Sequence, residues 1–139
     1  MREIKKIIIH CADTPEGRDV STEEIRRWHT EERGWSDIGY HWVIELDGEV
    51  RMGRDEAISG AHCRGHNGDS IGICYVGGAD SDGNPKDTRT ETQKVSMNSL
   101  VKDILSRYPE AVVYGHRDFS EKACPSFDAK SEYADMEIG

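Results

Sequence analysis

Gly115-His116-Arg117-Asp118-Phe119 is followed after two residues by Lys122-Ala123-Cys124-Pro125-Ser126-Phe127. This stretch sets an imidazole and a thiol on one loop, directly after the short apolar run Ala111 to Tyr114. Both groups are good ligands for a borderline-soft cation such as Zn²⁺. A third ligand type waits near the other end of the chain, where His10 closes the run Ile7-Ile8-Ile9. If the first and last strands are neighbours running the same way, His10 and His116 meet at their ends, where α/β sheets gather functional groups. Two histidines and a cysteine leave a tetrahedral ion one open position, the layout of a catalytic rather than a structural site.

Outward from these ends, the chain alternates strand and helix signals. Ile4 to Ile9 predicts a buried strand. Cys11 to Val20, with Pro15 and Gly17, reads as a loop. Ser21-Thr22-Glu23-Glu24 resembles a capping box opening a helix with Ile25 and Trp28 on one face and Gly34 as its stop. Tyr40 to Leu46 predicts a strand, Asp47-Gly48 a two-residue turn, and Glu49 to Met52 the returning strand. Gly53 to Asp69 is irregular and suits a loop lining a cleft. Ile71 to Val76 is a third buried strand, and Ala79 to Arg89 a polar surface loop. Thr90 to Gln93 caps a second helix whose Met97, Leu100, Val101, Ile104 and Leu105 keep the helical period as far as Pro109. A last helix starts near Asp128, and Ser131 to Gly139 either frays or adds a helical turn. The expected fold class is α/β: one domain with a central mixed sheet, including a hairpin, flanked by helices.

Composition narrows the partners. With 139 residues the chain fits one domain, and its net charge of −9 argues against a nucleic-acid or anionic-membrane footprint. No apolar run approaches the length of a membrane span. The N-terminus lacks a secretory signal, so synthesis is expected to end in a cytoplasm, with Cys11, Cys63 and Cys74 as reduced, buried thiols.

Taken together, Ile9-His10-Cys11, residues 37–42 (DIGYHW), 60–67 (GAHCRGHN), 70–78 (SIGICYVGG), 115–119 (GHRDF) and 122–128 (KACPSFD) resemble the zinc-dependent N-acetylmuramoyl-L-alanine amidases. Among these, the chain is most similar to the amidase-type lysozymes of short-tailed bacteriophages, and peptidoglycan recognition proteins share the fold. The resemblance runs along nearly the whole chain. It implies one Zn²⁺ per chain held by His10, His116 and Cys124, with Tyr40 and Lys122 as catalytic residues. His62 and Asn67 fall in the segment that lines the family's substrate groove. The implied reaction is hydrolysis of the amide between the lactyl group of N-acetylmuramic acid and L-alanine in peptidoglycan. Lys122 would then stabilise the oxyanion and Tyr40 orient water or carbonyl, while no glutamate stands at a matching position as general base.

Each residue taken alone also fits a plainer role: His10 as a core histidine, Cys124 as a buried thiol, Tyr40 as a strand aromatic, Lys122 as a solvated charge. His29 on the first helix and His41, opposite Tyr40, read as structural, and Trp28, Trp35 and Trp42 as core or groove wall. The order of the motifs favours the amidase. The resemblance further implies a monomeric endolysin, 1–139 without a wall-binding domain, made in the infected host's cytoplasm and reaching the cell wall through a separate pore-forming protein. Two other functions fit the same resemblance. One is a non-catalytic peptidoglycan receptor, in which the ligand cysteine is commonly replaced. The other is an inhibitor of a phage RNA polymerase, for which the arm of nine residues before His10 is short.

Overall fold

The structure is a computed structural model and describes residues 2–136. Among the described residues seven strands form, β1 (Lys6–Cys11), β2 (Thr14–Pro15), β3 (Trp42–Ile44), β4 (Val50–Met52), β5 (Ser70–Tyr75), β6 (Gly78–Ala79) and β7 (Val112–Gly115). The α-helices are α1 (Thr22–Arg27), α2 (Glu91–Arg107) and α3 (Ala129–Glu132). Five strands make one mixed sheet in the order β4-β3-β5-β1-β7, while β2 and β6 pair separately.

β1 is an interior strand of this sheet, and both of its faces are covered. Ile7, Ile8 and Ile9 are fully buried, and β1 pairs in parallel with β5 on one side and β7 on the other. A parallel strand enclosed in this way is expected to be an unbroken β-branched run. Strand alternation then sorts its side chains. Ile7, Ile9 and Cys11 join the core under α2, together with Ile71, Ile73 and Tyr75 of β5. Ile8 and His10 therefore turn to the other face. A second core, with Val20, Ile25, Ile38, Val43 and Val76, packs α1 against that opposite face.

α2 is held at its start by a full capping box between Thr90 and Gln93. It buries Met97, Leu100, Val101, Ile104 and Leu105, the stripe expected from the sequence. Each such side chain contributes about 1.5–3 kcal/mol on leaving water. The Ser21 hydroxyl caps α1 by accepting the Glu24 N–H at 3.1 Å. Beyond Arg27 the helix widens into a π-helical turn, Trp28–Glu32, which carries His29.

Three expectations change in detail. The strand expected over Tyr40 to Leu46 is only Trp42–Ile44: the Tyr40 and His41 carbonyls accept the N–H groups of loop residues Arg54 and Gly53, while the His41 N–H still donates to the Gly72 carbonyl of β5. The hairpin turn is longer than two residues. Glu45 pairs with Glu49 (N–H to O, 2.8 Å), leaving Leu46-Asp47-Gly48 as the loop, and Gly48 adopts a φ of +90°. That is the three-residue hairpin in which glycine takes the left-handed position. Finally, the loops expected around Pro15 and Ala79 meet as the β2–β6 pair. The tail turns helically over Ala134–Met136, and residues 137–139 lie outside the described residues.

Candidate metal centre

β1 and β7 run parallel with Ile9 opposite Gly115, so His10 and His116 arrive side by side at the same end of the sheet. Their ring centroids are 4.6 Å apart. After β7 the chain makes a 3₁₀ turn at His116–Asp118, held by the Gly115 N–H donating to Asp118 Oδ2 at 2.8 Å. It then returns, and the Arg117 N–H donates to the Cys124 carbonyl at 2.7 Å. Gly115 gives this return its room, since a Cβ there would stand 2.8 Å from Pro125 Cδ. Cys124 is thereby brought beside the two histidines. One ligating atom each from His10, His116 and Cys124 lies within 4.8 Å of the others, and among the described residues no fourth histidine, cysteine or carboxylate joins them.

The chemistry of the donor set fits Zn²⁺. Two imidazole nitrogens and one sulfur match a tetrahedral ion with one position free. The site's electrostatics, taken without a cation, agree. His10 is held well below the usual histidine range by burial, then by the nearby His62, His116 and Lys122, so it offers a neutral nitrogen. His116 is lowered for the same reasons, burial first and then the Lys122 charge. The Cys124 thiol is pushed up by its hydrogen bond with Cys11 and by burial, so a cation is needed to displace its proton.

The three side chains line a cleft of about 630 Å³. Tyr40 and Lys122, both expected at the site, also line it. Tyr40 stacks obliquely on His10 with centroids 5.2 Å apart. Burial first, then the sulfurs of Cys74, Cys124 and Cys11, raises its hydroxyl well above the usual tyrosine range. Lys122 is exposed and, among the described residues, makes no ion pair. His62 lines the cleft too, but Asn67 does not. The Asn67 carboxamide oxygen accepts the N–H groups of His62 and Cys63, both at 2.9 Å.

Several lining residues were not foreseen as such. His29 is buried at the cleft wall, where its Nδ1 accepts the Gly39 N–H at 2.9 Å and burial lowers it to about 4. Arg33 lies over the Trp35 ring, 5.2 Å from its centroid, on the same wall. Nothing in the helical spacing of His29, four residues after the buried Ile25, separates a cleft residue from a core one. Asp13, another lining residue, has a φ of +58° without being glycine, a conformation no sequence pattern announces. Trp28 packs against the second core and Trp42 against the first. All four cysteines are unpaired, with Cys11, Cys63 and Cys74 buried as expected.

Comparison with known proteins agrees with this geometry. Along 132 residues the chain is 43% identical to the endolysin of Escherichia phage T7, covering 95% of this chain and 87% of that one. The solved structure of the N-acetylmuramoyl-L-alanine amidase LysC from Clostridium intestinale URNW superposes with a TM-score of 0.82 at 26% identity, over 99% of this chain and 88% of that one. Wild-type PGRP-LB of Drosophila shares the fold, with a TM-score of 0.79 at 24% identity over 96% and 81% of the two chains. The family model for N-acetylmuramoyl-L-alanine amidase matches residues 1–127, and the chain belongs to that family.

Proposed function

We propose that this chain is an endolysin that hydrolyses the amide between the lactyl carbonyl of N-acetylmuramic acid and L-alanine, using one Zn²⁺ held by His10, His116 and Cys124. The observation that carries the reading is the convergence of those three ligand atoms within 4.8 Å at a cleft that Tyr40 and Lys122 also line. When bound, zinc supplies Lewis acidity for activating water and polarising a carbonyl.

The remaining work falls to the chain's own groups. As water adds to the lactyl carbonyl, negative charge develops on its oxygen. The exposed ammonium of Lys122 neutralises that charge, and one such donor is typically worth about 3–4 kcal/mol. The Tyr40 hydroxyl, raised well above its ordinary range, keeps its proton throughout the working pH range. It acts as a hydrogen-bond donor that orients the carbonyl rather than as a proton-transfer acid. Lysis of the phage-infected host follows from cutting enough of these amides, and no helix among the described residues is long and apolar enough to cross a membrane.

The test is product chemistry. Peptidoglycan digested by the purified chain should gain L-alanine amino termini and no reducing sugar ends. New reducing ends would identify a glycosidase instead, and binding without any product would identify a receptor.

A further inference from the structure

Behind the three converging side chains stands a fourth imidazole. His62 Nδ1 lies 2.8 Å from His10 Nε2, and His62 Nε2 lies 3.2 Å from the hydroxyl of Ser70, a fully buried residue at the start of β5. The ring is confined on several sides. A Cβ on Gly72 would stand 2.6 Å from His62 Cγ, and one on Gly60 would stand 2.7 Å from His62 Cδ2. The Asn67 carboxamide holds the backbone of residue 62 from the loop side. Two glycines, an asparagine and a serine thus fix this imidazole more tightly than a surface for a passing substrate requires.

We infer that His62 is a positioning residue for the metal centre, accepting the Nε2–H of His10 and so leaving the lone pair of His10 Nδ1 for the cation. The inference rests on reading His10, His116 and Cys124 as a metal site. The proton arrangement follows from counting donors in two neutral rings. In one arrangement His10 Nε2–H donates to His62 Nδ1 and His62 Nε2–H donates to Ser70 Oγ. In the other, the Ser70 hydroxyl donates to His62 Nε2 and His62 Nδ1–H donates to His10 Nε2. The second arrangement places the remaining His10 proton on Nδ1 and uses the Nε2 lone pair in the hydrogen bond. His10 then has no nitrogen left for a metal, so only the first arrangement is compatible with one. A ligand imidazole usually donates its far N–H to a carboxylate or a carbonyl; here another histidine, itself anchored by Ser70, takes that place. His62 and Asn67 become parts of the metal support, with Asn67 acting through the backbone of His62.

The experiment measures zinc affinity of the full chain by competition with a chromogenic chelator, alongside the unfolding midpoint of each metal-free protein. His62→Phe, which keeps a ring but offers no acceptor, should weaken zinc binding by roughly 10–100-fold. His62→Gln, whose carboxamide oxygen can accept the His10 N–H, should recover most of that loss. Wild-type affinity in both variants, or equal weakening in both, would overturn the assignment. A wild-type chain that holds no zinc would instead remove the metal reading itself and this one with it. Should His62→Phe fail to fold, the ¹⁵N spectrum of the zinc-loaded wild type decides: His10 must carry its proton on Nε2 with Nδ1 bound, and the reverse pattern overturns the proposal.

Discussion

The backbone N–H of Cys11 donates to the sulfur of Cys124 at 3.1 Å, joining positions 113 residues apart. The contact ties the end of the first long strand to the returning loop, and it holds the sulfur where the histidines can share a cation with it. Cys124→Ser keeps an acceptor for this N–H, a bond worth about 1 kcal/mol, so the metal-free variant should unfold near the wild-type midpoint. It should nevertheless lose its zinc on dialysis, and activity should fall by at least about 100-fold. Thermal denaturation and metal analysis on one preparation check both halves. Full zinc retention would remove Cys124 from the ligand set.

Lys122 is exposed and, among the described residues, free of acidic partners, so little of the fold depends on it. Lys122→Ala should therefore retain its zinc and its unfolding midpoint. Loss of one oxyanion donor typically lowers kcat by about 10²–10³-fold, and a fall of that size is expected with KM less affected. Steady-state kinetics on a soluble muramoyl-peptide would show it, and an unchanged kcat would exclude the oxyanion role.

Acid should destabilise the metal-free protein before its carboxylates titrate. His29 is lowered to about 4 from an ordinary 6.5 by burial, and protonation would also remove the acceptor for the Gly39 N–H. His41 is lowered too, chiefly by burial, and its Nδ1 accepts the Gly72 N–H at 3.0 Å. Between these folded values and 6.5 the unfolded chain binds more protons than the folded one, so stability is full above about 6.5 and declines as pH falls toward 4. The slope is about 1.4 kcal/mol per pH unit for each such histidine inside its window. Urea midpoints measured from pH 7.5 down to 4.5 should fall, and His29→Gln should flatten the curve. A midpoint that held constant or rose toward acid would contradict this.

With a net charge of −9, the chain has no long-range attraction to an anionic wall. Recognition is therefore expected to rest on contacts inside the cleft, which are closer than the Debye length of about 10 Å at 0.1 M salt. Lysis rates should change by no more than about threefold between low and moderate salt, because short-range contacts are screened little. A steep loss with added salt would show that steering matters after all.

Much of this architecture is legible in the chain. The run Ile7-Ile8-Ile9 can be satisfied only by burial on both faces, which marks a central strand, and α2 declares itself through its period and its Thr90–Gln93 cap. The meeting of His10 and His116 is legible as well, once their strands are placed side by side and parallel. What sequence could not give is whatever depends on a local departure from regular structure. His29 stands at the cleft wall within a π-helical turn, and Gly48 lengthens the hairpin loop. The pocket for the His62 ring exists only because Gly60 and Gly72 lack a Cβ, and these glycines lie in different segments of the chain. Neither pattern nor propensity reports a void shared between a loop and a strand.

The most direct test of the metal centre is X-ray absorption at the zinc edge on the purified, zinc-loaded chain. One ion per chain is expected, with a single sulfur at about 2.3 Å and two imidazole nitrogens at about 2.0–2.1 Å, the remaining position filled by a non-protein ligand. A spectrum without a sulfur shell, or one showing a second sulfur, would contradict it.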